Sequence, residues 1–243
     1  YSSAASDVYK RQVYNVPLGA ALFVLEVLLG TFAWPAAAVA LVTCCIGAVI
    51  AWIGLGNEIQ YAVPPMTAGA SLIVWAAVAG PLFGIAAQGF VQLTSAARRQ
   101  AARGWRLPVA AFVNFTLIGV LAIFLPALLG NGKGPAQLGF SSELTLGMAA
   151  LLLVLKVAIT SGSLRAGASG GLLTPGIAIG ALLAVVLGAA WNLIWPNAPP
   201  GAYAVVGAAA FLAASMRMPL TAIVLILEFT RVDQAFLVPI ILA

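Results

Sequence analysis

The chain of 243 residues contains no histidine, and charged residues make up only 7% of it. Without histidine, a Ser-His-Asp triad cannot form within the chain, and zinc lacks its usual nitrogen ligand. The only two cysteines, Cys44 and Cys45, are adjacent, which suits neither a disulfide nor a metal site. These absences argue against an enzyme, and they give no reason to expect a metal or another cofactor.

Apolar residues form 63% of the chain and give it a mean hydropathy of +1.10. The apolar runs are long and show no two-residue alternation, so a β-barrel is disfavoured. We therefore predict an all-α integral membrane protein. The net charge of +5 does not indicate nucleic acid, because four cations crowd one short loop. By the positive-inside rule this loop faces the cytoplasm and contacts lipid; its arginines are Arg98, Arg99, Arg103 and Arg106.

The two ends of the chain differ from its middle. Residues 1–12, YSSAASDVYKRQ, are polar, do not begin with Met and lack the pattern of a signal peptide. We predict that they are a disordered or non-native lead outside the fold. Residues 13–243 are predicted to form one partial transmembrane domain, since Ala243 falls within an apolar run.

Several apolar runs predict spanning or partly spanning helices, namely Pro35–Leu55, Met66–Ala97, Pro108–Leu129 and Ser142–Thr160. Ser141 or Ser142 is expected to cap the last of these. Gly130–Gly139 is predicted to be a glycine-rich break. Ala202–Ser215 is too short to cross a bilayer alone. Short and interrupted segments favour a bundle of tilted and broken helices.

The central stretch joins an apolar run to a second one through a segment of small residues, residues 161–174. Pro175 then opens the second run, and proline fits the first turn of a helix. We interpret Gly170–Thr174 as a turn that presents backbone amides at a helix N-terminus. Such an end carries partial positive charge and unpaired donors, which suit an anion. A plain glycine-rich connection between helices is the alternative interpretation.

An internal repeat links the two ends of the chain. Pro17 is followed nine residues later by Glu26, and Pro219 is followed nine residues later by Glu228. Related units far apart in a membrane chain are typical of transporters built from two repeats.

Three motifs together resemble the CLC family of chloride channels and chloride/proton exchangers. Gly171–Pro175 is similar to the family's G-x-F-x-P anion motif, with Leu173 where phenylalanine is usual. Residues 213–230 are similar to a late-helix signature, and Asn15–Glu26 to the matching helix of the family's first half.

The resemblance implies an incomplete CLC-like bundle with inverted-repeat architecture, mainly its second half. It also implies a homodimer in a bacterial-type inner membrane, with one path per subunit for chloride or a similar monovalent anion. The anion-binding residues that it implies are Gly170, Gly171, Leu172, Leu173, Thr174 and Pro175.

One departure bears on mechanism. Family exchangers often carry an inward-facing glutamate for proton transfer where this chain has Val27, and valine cannot carry a proton. This departure favours passive conduction, or exchange with weak or differently routed proton coupling. A proton-coupled antiporter stays the alternative. Glu26, one residue away, is a candidate for gating or coupling, or it caps a helix end. A broken-helix transporter for another substrate is the alternative of a different class.

Three cations outside the arginine loop have expected positions. We expect Lys133 to lie in a solvated loop, and Lys156 and Arg165 to lie near helix ends.

Overall fold

The computed structural model describes residues 16–30, 33–57, 59–196 and 198–243, and the regular structure within these ranges is helical. The prediction of an all-α fold is confirmed. The helices are α1 (Pro17–Phe23), α2 (Trp34–Leu55), α3 (Ala70–Arg99), α4 (Arg106–Phe124), α5 (Lys133–Phe140), α6 (Leu146–Arg165), α7 (Leu173–Trp191), α8 (Pro200–Met216), α9 (Pro219–Thr230) and α10 (Leu237–Leu242). Short 3₁₀ turns lie at Pro126–Leu128 and Gln234–Phe236.

Helices α2, α3, α4, α6 and α7 are each long and apolar enough to cross a membrane. The other apolar helices are shorter, among them α8 and α9. Helix α1 is also short, and it continues into a π-helical turn, Val24–Leu29, that ends at Gly30. The chain is therefore an integral, multi-pass membrane protein that contains both helices long enough to span and shorter ones.

The centre of the bundle is the packing of α7 against α8, whose residues 201–212 are all buried. A Cβ built on Gly180 would lie 2.6 Å from the carbonyl oxygen of Gly207. A Cβ on Gly207 would lie 2.4 Å from the Ala184 Cβ. Glycine at both positions lets the two backbones touch, as small residues do where membrane helices cross closely. This crossing fixes the position of the α7 N-terminus.

Two local predictions were wrong. The segment 130–139 is not simply a break, because α5 begins at Lys133, directly after Gly132 with its φ of +116°. Ser142 does not cap α6: its φ is +64°, and its hydroxyl accepts a hydrogen bond from the Gly201 amide at 2.9 Å. The cap is Thr145, whose hydroxyl accepts from the Met148 amide.

Candidate anion-binding site

The N-terminus of α7 begins at Leu173, with Leu172 as its capping residue. Among the described residues, neither the Leu172 N–H nor the Leu173 N–H meets a hydrogen-bond acceptor. Pro175, in the first turn, has no N–H of its own. The end of α7 therefore presents backbone donors that the described part of the chain does not use, and these carry the partial positive charge of the helix dipole.

A cavity of about 150 Å³ lies in front of this helix end. Three parts of the chain form its walls: the loop before α5, the inner face of α6, and the turn that leads into α7. Its lining residues are Gly130, Asn131, Lys156, Ile159, Thr160, Ser163, Leu164, Ala168, Ser169, Gly170, Gly171, Leu172 and Pro175. Irregular backbone at membrane depth is tolerated where it lines such a cavity.

Four of the six residues predicted to bind the anion line this cavity: Gly170, Gly171, Leu172 and Pro175. The other two do not. Thr174 is buried, and the Leu173 side chain packs against the hydrophobic core. Their backbone still belongs to the first turn of α7, so the anion-binding assignment stays a prediction for the backbone of all six.

Lys156 does not lie where the sequence predicts it. Helix α6 runs on to Arg165 instead of ending near Thr160, so Lys156 lies in its middle and not near an end. The side chain is only 2% exposed, and its ammonium donates to the Gly130 carbonyl at 3.0 Å. Helix α6 is apolar on most sides, so no periodicity in its sequence shows which way this lysine points.

The arginine-rich segment between α3 and α4 contacts the turn that precedes α7. The Arg98 guanidinium donates to the Gly170 carbonyl at 3.0 Å, and the Ala102 amide donates to the Arg165 carbonyl at 2.9 Å. In a trans peptide the carbonyl and the next N–H point in opposite directions. Arg98 therefore holds the Gly170 oxygen on its own side, with the Gly171 N–H directed away from it. From the sequence, only a role in topology and lipid contact is expected for this loop.

The two glutamates of the repeat cap each other's helices. The Glu26 carboxylate accepts from the amides of Leu220 and Thr221, at 3.2 and 2.7 Å, and from the Thr221 hydroxyl at 2.6 Å. The Glu228 carboxylate accepts from the amides of Leu18 and Gly19, at 3.1 and 2.7 Å. Each acid reaches the first turn of the other unit, so α1 and α9 lie antiparallel, as an inverted repeat requires.

Glu26 and Val27 do not line the cavity at α7. Val27 lies in the π-helical turn and is 37% exposed. A gating or coupling role for either residue stays a prediction, while the contacts of Glu26 are those of a helix cap.

A second cavity, of about 240 Å³, is lined by residues such as Ala209, Ala213, Ile223 and Ile240. Its lining side chains offer no hydrogen-bond donor, so the smaller cavity at α7 is the better candidate for an anion site.

The fold and the site define a class of membrane protein: a bundle of full and partial helices, with one helix N-terminus open to a polar cavity. Residues 12–243 match the model of the voltage gated chloride channel family, and the chain belongs to this family. The family predicted from the motifs is confirmed.

Some relatives of the chain are named as chloride channel proteins and others as H⁺/Cl⁻ exchange transporters. A ClcB-like chloride channel protein of Ralstonia nicotianae is 32% identical over 236 residues, which cover 95% of this chain and 54% of that protein. The H⁺/Cl⁻ exchange transporter ClcA of Vibrio campbellii is 27% identical, over 94% of this chain and 51% of the relative. ClcA of Cronobacter sakazakii is 38% identical, over 51% of this chain and 27% of the relative. The chain thus spans at most about half the length of these relatives.

Solved structures show the same fold. A slow cyanobacterial Cl⁻/H⁺ antiporter aligns with a TM-score of 0.84 and 21% identity, over 94% of this chain and 55% of the antiporter. A CLC-type fluoride/proton antiporter aligns with a TM-score of 0.75 and 23% identity, over 94% of this chain and 57% of the other. At these identities the likeness concerns the fold.

Proposed function

We propose that this protein moves chloride or a similar monovalent anion across a membrane, through a site at the N-terminus of α7. The observation that carries the proposal is the polar cavity in front of the unused amides of Leu172 and Leu173. A path for ions needs binding that is favourable but shallow enough for release. Backbone amides supply fractional charge, and so meet both requirements better than a pair of full charges in a dry site.

The mode of transport is proposed to be passive conduction, with proton-coupled antiport as the alternative. Two features support conduction: Val27 has no proton to carry, and the Glu26 carboxylate is occupied by three hydrogen bonds from α9. The relatives' names favour neither mode, because one is named a channel protein and two are named exchangers.

Family membership supports further proposals for the whole protein. We propose a homodimer in contact with lipid, in the inner membrane of a bacterium, with transport and not catalysis as its activity. A different transport substrate has little support, because Lys156 is the only charged residue among those described that line the cavity, and an organic ion would need more charged contacts.

Liposome flux tests the proposal. The purified full-length protein is reconstituted into liposomes loaded with chloride, and chloride efflux is recorded together with external pH. We expect chloride efflux that needs no second solute and moves protons in less than stoichiometric amounts. Proton movement in fixed proportion to chloride would establish the antiport alternative. Absence of chloride efflux from well-reconstituted protein would refute anion transport.

A further inference from the structure

The arginine segment, residues 98–106, joins α3 to α4 and carries a dense positive charge. One more arginine, Arg165 at the end of α6, lies beside it, because the Arg165 carbonyl accepts from the Ala102 amide at 2.9 Å. The five arginines are Arg98, Arg99, Arg103, Arg106 and Arg165. All of them are exposed, so their charges are open to a ligand from outside the chain.

None of these arginines pairs with a carboxylate of the described residues. The Glu26 and Glu228 carboxylates bind the helix ends of α9 and α1, and Asp233 accepts from the amide two residues on. Glu143 precedes α6 while Arg165 ends it, so a helix about 30 Å long separates the two side chains. The described part of the chain therefore supplies no counter-charge for the segment.

The segment also lies at the depth of the lipid headgroups. Helix α4 is long and apolar enough to span a membrane, so its first residue, Arg106, lies near the membrane–water interface. Trp105, directly before it, is 76% exposed, and the Arg106 Cζ lies 5.6 Å from the centroid of the Trp105 ring. Exposed tryptophan is typical of this interface. The anions that such a surface meets are the phosphates of acidic lipids.

The segment packs on the turn between α6 and α7. A Cβ built on Gly167 would lie 2.5 Å from the Leu107 Cδ1 and 3.4 Å from the Ala102 carbonyl oxygen. The Arg98 guanidinium donates to the Gly170 carbonyl in the same turn, and this hydrogen bond is exposed. Unpaired like charges repel one another. A bound anion that offsets this repulsion should therefore strengthen the contact between the segment and the turn.

We propose that the arginine segment binds the headgroup of an anionic phospholipid, and that the bound lipid steadies the turn between α6 and α7. Arg99 and Arg103 contact the phosphate, while Arg98 keeps its bond to Gly170 and transmits the effect. A guanidinium suits this ligand because it donates two parallel hydrogen bonds to one phosphate. The five arginines do not line the cavity at α7, and the inference does not depend on the proposed anion transport.

Lipid titration of the full-length protein in neutral detergent tests the site, with native mass spectrometry to count bound molecules. The probes are dioctanoyl phosphatidylglycerol, zwitterionic dioctanoyl phosphatidylcholine and soluble glycerol phosphate. We expect Arg99→Gln/Arg103→Gln to weaken phosphatidylglycerol binding by about tenfold or more and to leave phosphatidylcholine binding unchanged. The control Lys133→Gln/Arg217→Gln removes two exposed cations elsewhere and should leave both unchanged.

Three results would overturn the lipid site. They are unchanged phosphatidylglycerol binding in folded Arg99→Gln/Arg103→Gln, an equal loss in the control, and glycerol phosphate binding as tight as that of the lipid. The melting temperature in lipid-free detergent reports the fold. Should the glutamine variant not fold, Arg99→Lys/Arg103→Lys decides. It keeps both charges but loses the paired donors, so binding should weaken by about threefold. Binding as tight as in the wild type would refute contact with the phosphate.

Hydrogen–deuterium exchange tests the link to the turn. We expect saturating phosphatidylglycerol to slow exchange in residues 166–172 by about threefold or more. Arg98→Ala, compared at saturating lipid, should lose most of this slowing, because the bond to the Gly170 carbonyl is gone. Unchanged exchange in the lipid-bound wild type would refute the effect on the turn. Equal slowing in Arg98→Ala would show that Arg98 does not transmit it.

Discussion

The chain has two kinds of helix end in its membrane domain: those of α1 and α9, and that of α7. The first turns of α1 and α9 bind carboxylates of the chain itself, from Glu228 and Glu26. The start of α7 opens onto a cavity, and no carboxylate within the described ranges binds its Leu172 and Leu173 amides. All three ends attract negative charge for the same physical reason. At α1 and α9 the chain supplies the anion and the contact joins two parts of the fold, whereas at α7 we propose that a diffusing anion binds.

The largest effect is expected from closing the open end with an anion of the chain's own. Gly171→Asp places a carboxylate beside the α7 amides, and a Cβ at this position meets no atom within 4 Å. We expect chloride efflux from liposomes to fall by more than about tenfold, because a tethered carboxylate competes with the free ion at high local concentration. The result would make α7 resemble α1 and α9.

Gly171→Asn is the control for this change, since it adds nearly the same volume without charge. Its efflux should stay within about threefold of wild type, because an amide is a weaker ligand for these donors. Equal loss of efflux in both variants would mean that the side chain blocks the cavity by size, and that charge at α7 is not what matters.

The converse change removes the carboxylate that binds the start of α9. Glu26→Ala removes the acceptor of three hydrogen bonds at the start of α9, so we expect a loss of about 2 kcal/mol in the free energy of unfolding. Thermal or denaturant unfolding in detergent measures it. Glu143→Ala, at an exposed glutamate, is the matched control and should be neutral. A stability equal to wild type would show that the carboxylate does not hold α1 and α9 together.

A smaller loss is expected at the other end of the repeat. Glu228 accepts two hydrogen bonds from α1, so Glu228→Ala should cost about 1 kcal/mol in the same unfolding measurement. The comparison also predicts which of the two variants loses more free energy of unfolding. If Glu228→Ala were the more damaging, hydrogen bonds to helix ends would not explain the stability of the repeat.

Much of this comparison could be predicted from residues that are close together in sequence. Pro17 with Glu26, and Pro219 with Glu228, indicate two related units, and the Gly170–Pro175 stretch indicates a helix end suited to an anion. What these patterns do not show is that each glutamate caps the other unit, because that contact joins residues about 200 positions apart. Local spacing shows how a unit begins and ends, but not what faces it.

The two most informative errors have a related cause. Lys156 was expected near a helix end because the predicted helix stops near Thr160, whereas α6 runs on to Arg165. Helix α6 is also apolar almost all round, and such a helix gives no sign of which side faces a cavity. Ser142 was expected to cap α6, but its hydroxyl binds the Gly201 amide at the start of α8. In both cases a partner distant in sequence decides the role of a polar side chain.

The central claim is that an anion binds at the open N-terminus of α7, and anomalous diffraction from the full-length protein crystallised in bromide tests it most directly. The account predicts a bromide peak in the cavity, within hydrogen-bonding reach of the Leu172 or Leu173 amide and on the side facing Lys156. Bromide peaks elsewhere in the membrane domain, with none in front of α7, would contradict it.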